Sequence, residues 1–349
     1  MKAGIVGFRG SGKTTVFNAL TGLHAEVGGF SAAEAKNLGT IKVPDERLAQ
    51  IADKVQPKKL TYAEITFTDL AAASPAGGKG FPPAMLNDMK ALEALVHVVR
   101  GFDNPAVPEP VDILRDARNF ESELALSDLM IAENRLARLA KQGAKTRERE
   151  HMEAIKSHLD QEKPLRTMDL SEEAWAELAG FGFLSLKPCL LLVNVAEDKA
   201  AAPLPAELGT FAAAQRLRVM AISGQVEMEV NDLETAERSE YLKSLGLDRP
   251  AKDRFIREAY DMLNLISFFT FGPEEVRAWT IHKGTKAHQA AGKIHSDIER
   301  GFIRAEVMDW RDVVVLGAES KMREAKKIRL EGKEYIPQDG DVIHFRFNV

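Results

Sequence analysis

The chain has 349 residues, with 47 Lys and Arg against 52 Asp and Glu, for a formal net charge of −5. That near balance excludes holding nucleic acid by bulk positive charge, and 45% hydrophobic with 28% charged residues excludes a wholly disordered chain. A single cysteine, Cys189, leaves no internal disulfide and no Cys-rich zinc site, which points to a reducing cytoplasm.

At roughly 100–200 residues per domain, the length predicts two or three domains. Lys2–Phe8 reads as a short buried strand, and its apolar run from Ala3 is too short for a signal peptide. Thr14–Leu20 reads as a helix with Val16, Phe17 and Leu20 on one face and Gly22 as its stop. Gly39–Val43 is a predicted strand, after which Pro44-Asp45 opens a helix carrying Leu48, Ile51, Ala52 and Val55. Tyr62–Thr68, Ala94–Val99, Cys189–Val193 and Arg218–Ile222 complete a six-stranded, mostly parallel α/β sheet. No run approaches the roughly 20 apolar residues that span a bilayer, so no membrane partner is expected.

Two stretches break the alternation. From Asn119 to about Leu184, leucines at helical spacing and a Gln142-Gly143 turn predict an inserted helical hairpin. Its tip carries Lys141, Lys145, Arg147 and Arg149, which suit either a solvated face or RNA phosphate. From Ser267 onward, Val276–Ile281 alternates, Lys286–Arg300 reads as one amphipathic helix, and Arg304–Val307 is extended. Arg329-Leu330 and Tyr335-Ile336 flank a turn, and Val342–Phe347 is a terminal strand. This order fits a β-grasp sheet packed on one helix. The predicted organisation is a P-loop domain at 1–118 and 185–264, a helical hairpin at 119–184, and a β-grasp domain at 265–349.

Between the first strand and helix lies Gly7-Phe8-Arg9-Gly10-Ser11-Gly12-Lys13-Thr14, a full match to G-x-x-x-x-G-K-[ST] in its strand–loop–helix setting. Glycines let successive N–H groups turn toward phosphate, and the helix N-terminus adds partial positive charge. Arg9, Gly10, Ser11, Gly12, Lys13, Thr14 and Thr15 are therefore the candidate phosphate contacts. Lys13 would reach the β- and γ-phosphates, and the Thr14 hydroxyl would ligate Mg²⁺. The eight histidines form no metal constellation. His282, His288 and His295 lack ligand spacing, and His97, inside an apolar strand, reads as a satisfied core histidine. Lys286, Lys293 and Arg300 give the C-terminal helix a basic edge, for a partner or for solvent.

The segments Val43–Leu48 (VPDERL), Val96–Phe102 (VHVVRGF), Glu274–Trp279 (EEVRAW), Gly301–Val307 (GFIRAEV) and Leu330–Val349 carry a resemblance running from Met1 to Val349. The chain resembles the YchF or Obg-like ATPases, a branch of the translation-factor GTPases. The resemblance implies a C-terminal TGS domain and a helical domain in place of the hairpin. It also implies an intracellular, ribosome-associated nucleotide switch that prefers ATP to GTP. Ribosome or RNA would meet the hairpin tip and the TGS-like domain, and no DNA partner is implied.

Most GTPases read guanine with Asn-Lys-x-Asp, whose carboxylate accepts two N–H bonds. The corresponding residues here are Asn194-Val195-Ala196-Glu197. The lysine is missing and the acid is one methylene longer, which misplaces the paired contact, and the family's Asn-x-x-Glu form goes with adenine. Asn194 can serve a base edge, or cap a strand-to-helix turn. Val195 and Glu197, which follow it, are candidate nucleotide contacts with it, and Ser223-Gly224 offers a backbone contact to the base.

Three switch positions depart from the family. Ala33 stands where the family has a threonine for Mg²⁺ and the γ-phosphate, with Ser31 nearby. The family's Asp-x-x-Gly reads Asp69-Leu70-Ala71-Ala72, keeping the Mg²⁺-directed Asp69 but adding a Cβ at Ala72. Asp88 stands at the family's histidine position, beyond the glycines Gly77, Gly78 and Gly80. Lys13 and Asp88 are thus the candidate catalytic residues, Thr14 and Asp69 the candidate Mg²⁺ ligands. Phosphoryl transfer depends on positioning and charge stabilisation, so these changes predict slow or lost hydrolysis. A non-hydrolysing, nucleotide-gated scaffold that docks RNA or protein is the alternative. A small-molecule kinase is disfavoured by Asn194-x-x-Glu197, by the β-grasp tail and by the lack of an Arg-rich lid.

Overall fold

In the computed structural model, residues 2–25, 36–70, 81–142 and 146–348 are described. Ser31, Ala33, Ala72, the glycines of 77–80, Gly143 and Lys145 lie outside them. Strand β1 (Lys2–Val6) is buried after its first residue, as its apolar run requires. Helix α1 (Lys13–Thr21) follows the loop and stops at Gly22, whose φ of 73° is a left-handed conformation that glycine adopts without strain. Next come β2 (Asn37–Val43) and α2 (Glu46–Val55), whose N-cap Asp45 accepts from Arg47 N at 3.0 Å. They are followed by β3 (Lys59–Thr61), β4 (Ala63–Asp69), α3 (Pro83–Lys90) and β5 (Ala94–Gly101).

The hairpin is α4 (Ile113–Gln142) and α5 (Arg147–Leu159), with α4 starting well upstream of Asn119. Ala125, Ala132, Met152, Ile155 and Leu159 form its seam, closed by Leu165, Leu178 and Phe183. Buried Asp128 fixes the returning chain, accepting from Leu184 N and Ser185 N, each at 2.7 Å, and from Ser185 Oγ at 2.6 Å. Helix α6 (Glu172–Leu178) lies on that return, before β6 (Cys189–Val195), α7 (Ala206–Ala214) and β7 (Arg218–Ile222). Three helices then follow, α8 (Gly224–Asp232), α9 (Thr235–Ser244) and α10 (Ala251–Met262).

The first sheet has the strand order β2-β4-β1-β5-β6-β7. β1 runs parallel to both β4 and β5, and β5, β6 and β7 continue in parallel. All eight residues of β5 are buried, because helices cover both faces. Phe120, Leu124, Phe81, Met85 and Met89 pack against Val6 and Leu95 in its core.

The C-terminal part comprises β8 (Leu265–Thr270), β9 (Glu275–His282), α11 (Ala287–Ile294), α12 (Ser296–Arg300) and β10 (Phe302–Asp309), then α13 (Trp310–Leu316), α14 (Glu319–Glu324), β11 (Arg329–Glu331) and β12 (Asp341–Phe347). Its sheet is mixed, ordered β11-β10-β12-β8-β9-β3, with β12 parallel to β8 and β10 antiparallel to both β11 and β12. Ala287, Ala290 and Ala291 of α11 pack on Phe268, Ile281, Val307 and Phe345, a β-grasp arrangement. The single helix expected over 286–300 is broken at His295, whose backbone is extended (φ −163°, ψ 144°). His295 Nδ1 accepts from Asp297 N at 3.2 Å, so a local cap outcompetes helix continuation. Tyr335 and Ile336 are not in a strand.

The chain divides into two compact units, Met1–Thr40 with Thr66–Met262, and Ile41–Ile65 with Leu263–Val349. The second unit therefore includes α2 and β3, with β3 pairing in parallel with Glu275–Arg277 of β9. Among the described residues, no helix is long and apolar enough to cross a membrane.

Candidate nucleotide site

The loop after β1 turns through Gly7 (φ 146°), Gly10 (φ 78°) and Gly12 (φ 81°). A Cβ at Gly7 would run into the Val98 carbonyl, and one at Gly12 into the Asn194 amide. Both glycines are therefore fixed by close approach as well as by φ. The curl brings Lys13 Nζ within 3.1 Å of Phe8 O, and the side chain is only 6% exposed. Burial pushes the Lys13 ammonium down to about 8, with the charge of Asp69 opposing the shift. Phosphate oxygens set beside it would favour the charged form again.

Thr14 Oγ1 donates to Asp69 Oδ2 at 3.0 Å, and Asn37 Nδ2 reaches the same oxygen at 3.4 Å. Asp69 Oδ1 is buried and has no hydrogen-bond partner among the described residues. Burial raises the Asp69 pKa, and the Thr14 hydrogen bond, the Lys13 charge and Asn37 pull it back. A hydroxyl beside a carboxylate with an unsatisfied oxygen is a hard, all-oxygen donor pair. It fits Mg²⁺, which Thr14 and Asp69 could hold.

Asn194 spends both ends of its amide inside the protein. Nδ2 donates to Ser11 O at 3.1 Å, and Oδ1 accepts from Gly224 N at 3.0 Å. One side chain thus ties the phosphate loop to the turn after β7. Ser223 Oγ caps α8, accepting from Val226 N at 3.4 Å. Thr15 lies beside Gly224, its methyl 3.4 Å from where a Gly224 Cβ would be. Gly12, Lys13, Thr14, Thr15, Asn194, Ser223 and Asp69 are therefore gathered around one loop. Val195 is buried in β6, and half-buried Glu197 opens a short 3-10 turn, Glu197–Lys199.

Arg9 belongs to the same loop, and Asp88 lies on α3. Arg9 is exposed and lines a cavity with Val107, Glu109 and Asp116. Asp88 pairs with Lys36 Nζ at 2.5 Å. Sequence reasoning missed Asn37 and Asn104. Asn104 Nδ2 donates to Gly10 O at 3.1 Å, pinning the loop from the β5 side. Asp103-Asn104-Pro105 signals a turn, but nothing local points it at Gly10.

His97 is buried as expected, stacked on Phe120 at 3.8 Å between ring centroids and 18° between planes. It is not satisfied, because Nε2 has no partner among the described residues. Burial, and then the Lys13 charge, push it down to about 3, so it is neutral. At the hairpin tip, Arg147 pairs with Glu173 at 3.2 Å and Arg149 with Glu153 at 2.8 Å, while Lys141 is exposed. His282 Nδ1 and His288 Nδ1 face the Leu263 and Lys333 carbonyls. The one compact acid–histidine group among the described residues is Glu306, Glu319 and His344, and Arg323 and Arg346 already pair with both glutamates.

A parallel sheet of this order, with the glycine loop delivering a buried lysine at the head of α1, defines the P-loop class of α/β proteins. Across its whole length the chain is 38% identical to the ribosome-binding ATPase YchF of Bacillus subtilis (strain 168), over 364 residues covering 100% of each chain. It is 39% identical to the ribosome-binding ATPase YchF of Escherichia coli O157:H7, over 360 residues covering 100% of this chain and 99% of that one. The structure of the Schizosaccharomyces pombe YchF GTPase superimposes with a TM-score of 0.86 at 29% identity, covering 99% of this chain and 97% of that one. A family model described as YchF-GTPase_C, protein of unknown function (DUF933), matches residues 265–348. The chain belongs to the YchF family.

Proposed function

We propose that this protein is a ribosome-associated nucleotide switch that binds a purine nucleoside triphosphate with Mg²⁺, prefers adenine to guanine, and hydrolyses slowly or not at all. The observation that carries the reading is Lys13, buried in a glycine-turned loop beside the Thr14–Asp69 pair. The ribosome enters through the relatives in Bacillus subtilis and Escherichia coli, which are named ribosome-binding ATPases.

In this reading the loop amides from Arg9 to Thr15 cradle the phosphates, and Lys13 neutralises the β- and γ-oxygens. Bound at Thr14 and Asp69, Mg²⁺ would supply further charge neutralisation. Asn194 holds the phosphate loop at a fixed distance from the Ser223–Gly224 turn, where a purine edge would lie. Glu197, longer than aspartate and without a preceding lysine, disfavours the paired guanine contact. Weak hydrolysis is supported by Asp88, whose carboxylate is neutralised by Lys36 at 2.5 Å. A carboxylate engaged in that pair is not aimed at a water, and a free one would add negative charge where charge must be dissipated. The same pair favours the second reading, a nucleotide-gated scaffold whose output is docking through the hairpin or the β-grasp unit.

Calorimetric titration of ATP, GTP, ADP and GDP with Mg²⁺, followed by turnover on the same sample, tests both readings. The expected result is adenine nucleotides binding at least about tenfold tighter than guanine ones, with binding lost in Lys13→Ala. Turnover should be absent with or without ribosomes if the scaffold reading holds, and slow but raised by ribosomes if the switch hydrolyses. Ordinary turnover that is abolished by Lys13→Ala but untouched by Asp88→Ala would overturn the account of the altered switches.

A further inference from the structure

Between the phosphate loop, β5 and the start of α4 lies a cavity of about 170 Å³, which shares Arg9 and Ser11 with the phosphate loop but whose other lining residues the nucleotide reading does not use. One wall is apolar, formed by Phe8, Val98, Val99 and Val107. The other contains Arg100, 4% exposed, whose guanidinium donates only to the backbone carbonyls of Phe102 (3.5 Å) and Glu109 (2.6 Å). Arg100 enters no ion pair among the described residues. A buried guanidinium facing only neutral acceptors is costly, because carbonyl dipoles do not replace a counter-charge.

Ser11 and His97 also line the cavity, with their Oγ and Nε2 atoms themselves fully buried. The nearby acids do not answer Arg100. Asp116 is paired with Arg115 at 2.8 Å, and exposed Glu109 lends its carbonyl rather than its carboxylate.

The geometry points to a binding site for a small organic carboxylate, its anionic end on Arg100 and its apolar body, about one ring in size, against Phe8 and Val107. A carboxylate matches the guanidinium fork, which two carbonyls leave without a counter-charge. Phe8 and Ser11 belong to the phosphate loop, so an occupant that shifts either one changes nucleotide affinity. By reciprocity, nucleotide then changes the affinity for the carboxylate.

The test is an NMR titration of the full chain with benzoate, and with benzamide as its uncharged isostere, following the amides of Phe8 to Ser11 and of Val107. Benzoate is expected to shift these amides saturably and to bind at least about tenfold tighter than benzamide, as a charged hydrogen bond requires. Binding should persist in Lys13→Met, which removes the ammonium of the nucleotide site. It should be lost in Arg100→Gln and, independently, in Val107→Trp, which fills the cavity and keeps the test open if the buried Arg100 variant misfolds. Equal binding of benzoate and benzamide overturns the anionic assignment. Absence of a saturable shift, or shifts that vanish in Lys13→Met and survive Val107→Trp, overturns the site.

Discussion

Asn194 is the residue on which the most geometry depends, since one amide joins Ser11 O to Gly224 N. Replacing it with alanine leaves a buried donor and acceptor unpaired, at about 1–3 kcal/mol each. Asn194→Ala is therefore expected to weaken nucleotide binding by at least about tenfold and to lower the melting temperature, measured by calorimetry and thermal unfolding. Unchanged affinity would mean that the loop holds its shape without the tie. His97 makes a different prediction. Its folded pKa is depressed to about 3, while the unfolded imidazole titrates near 6.5. The unfolded chain thus takes up a proton that the folded one refuses. The stability due to this group is full above pH 6.5 and drains away as pH falls toward 3. Between pH 7 and pH 5 the loss is about 2 kcal/mol. His97→Phe keeps a ring beside Phe120 but cannot protonate, so urea midpoints at pH 7 and pH 5 should draw together relative to the parent. An unaltered gap would place the acid sensitivity in another group.

At the scale of elements, Asp128 decides how α4 meets the chain that returns to β6. Three donors converge on its carboxylate in a fully buried position. Asp128→Ala strands two backbone N–H groups and is expected to cost about 3 kcal/mol or more in denaturant titration. Asp88→Ala breaks a partly exposed pair and should cost under about 1 kcal/mol. Comparable losses would contradict this ranking of burial over proximity. The contrast also explains what was legible in the sequence. Strands such as β5 and β6, and the loop from Gly7 to Thr14, announce themselves because their signals are apolar runs and local spacing. Strand β3 does not, because its three residues are exposed or half-buried and its partner, Glu275–Arg277, is remote in the chain. The break at His295 was hidden because the apolar periodicity of Ala287 to Ile298 continues through it, while the cap depends on one side chain turning inward. In the site, Lys13, Thr14, Asp69 and Asn194 could be proposed from motif and resemblance. Asn37, Asn104 and the unpaired Arg100 could not, since each matters only through a neighbour that folding supplies.

For the whole molecule, the consequential feature is the excursion of residues 41–65 into the second unit. The chain leaves along β2, builds α2 and β3 there, and returns along β4 to Asp69. In the second unit Arg47 of α2 bonds Asp339 at 2.8 Å, and Lys58 pairs with Glu274 at 2.7 Å, so the excursion is stitched to the C-terminal segment. Its two ends meet again in the first unit. Asn37 opens β2, Asp69 closes β4, and their side chains lie 3.4 Å apart at the pair that could hold Mg²⁺. A change in the ligation of Asp69 therefore acts on β4 through the chain itself and on β2 through the Asn37 hydrogen bond, and these are the two strands that run to the second unit. Hydrogen exchange of the full chain, with and without a non-hydrolysable ATP analogue and Mg²⁺, should show altered protection in residues 13–21 and also in 46–61 and 275–277. In Asn37→Ala, the change at 13–21 should remain while that at 59–61 and 275–277 shrinks, because the clamp between the strand ends is gone. Equal changes in parent and variant would show that the strands transmit nothing through this contact, and the coupling would have to be sought in the segments on either side of it.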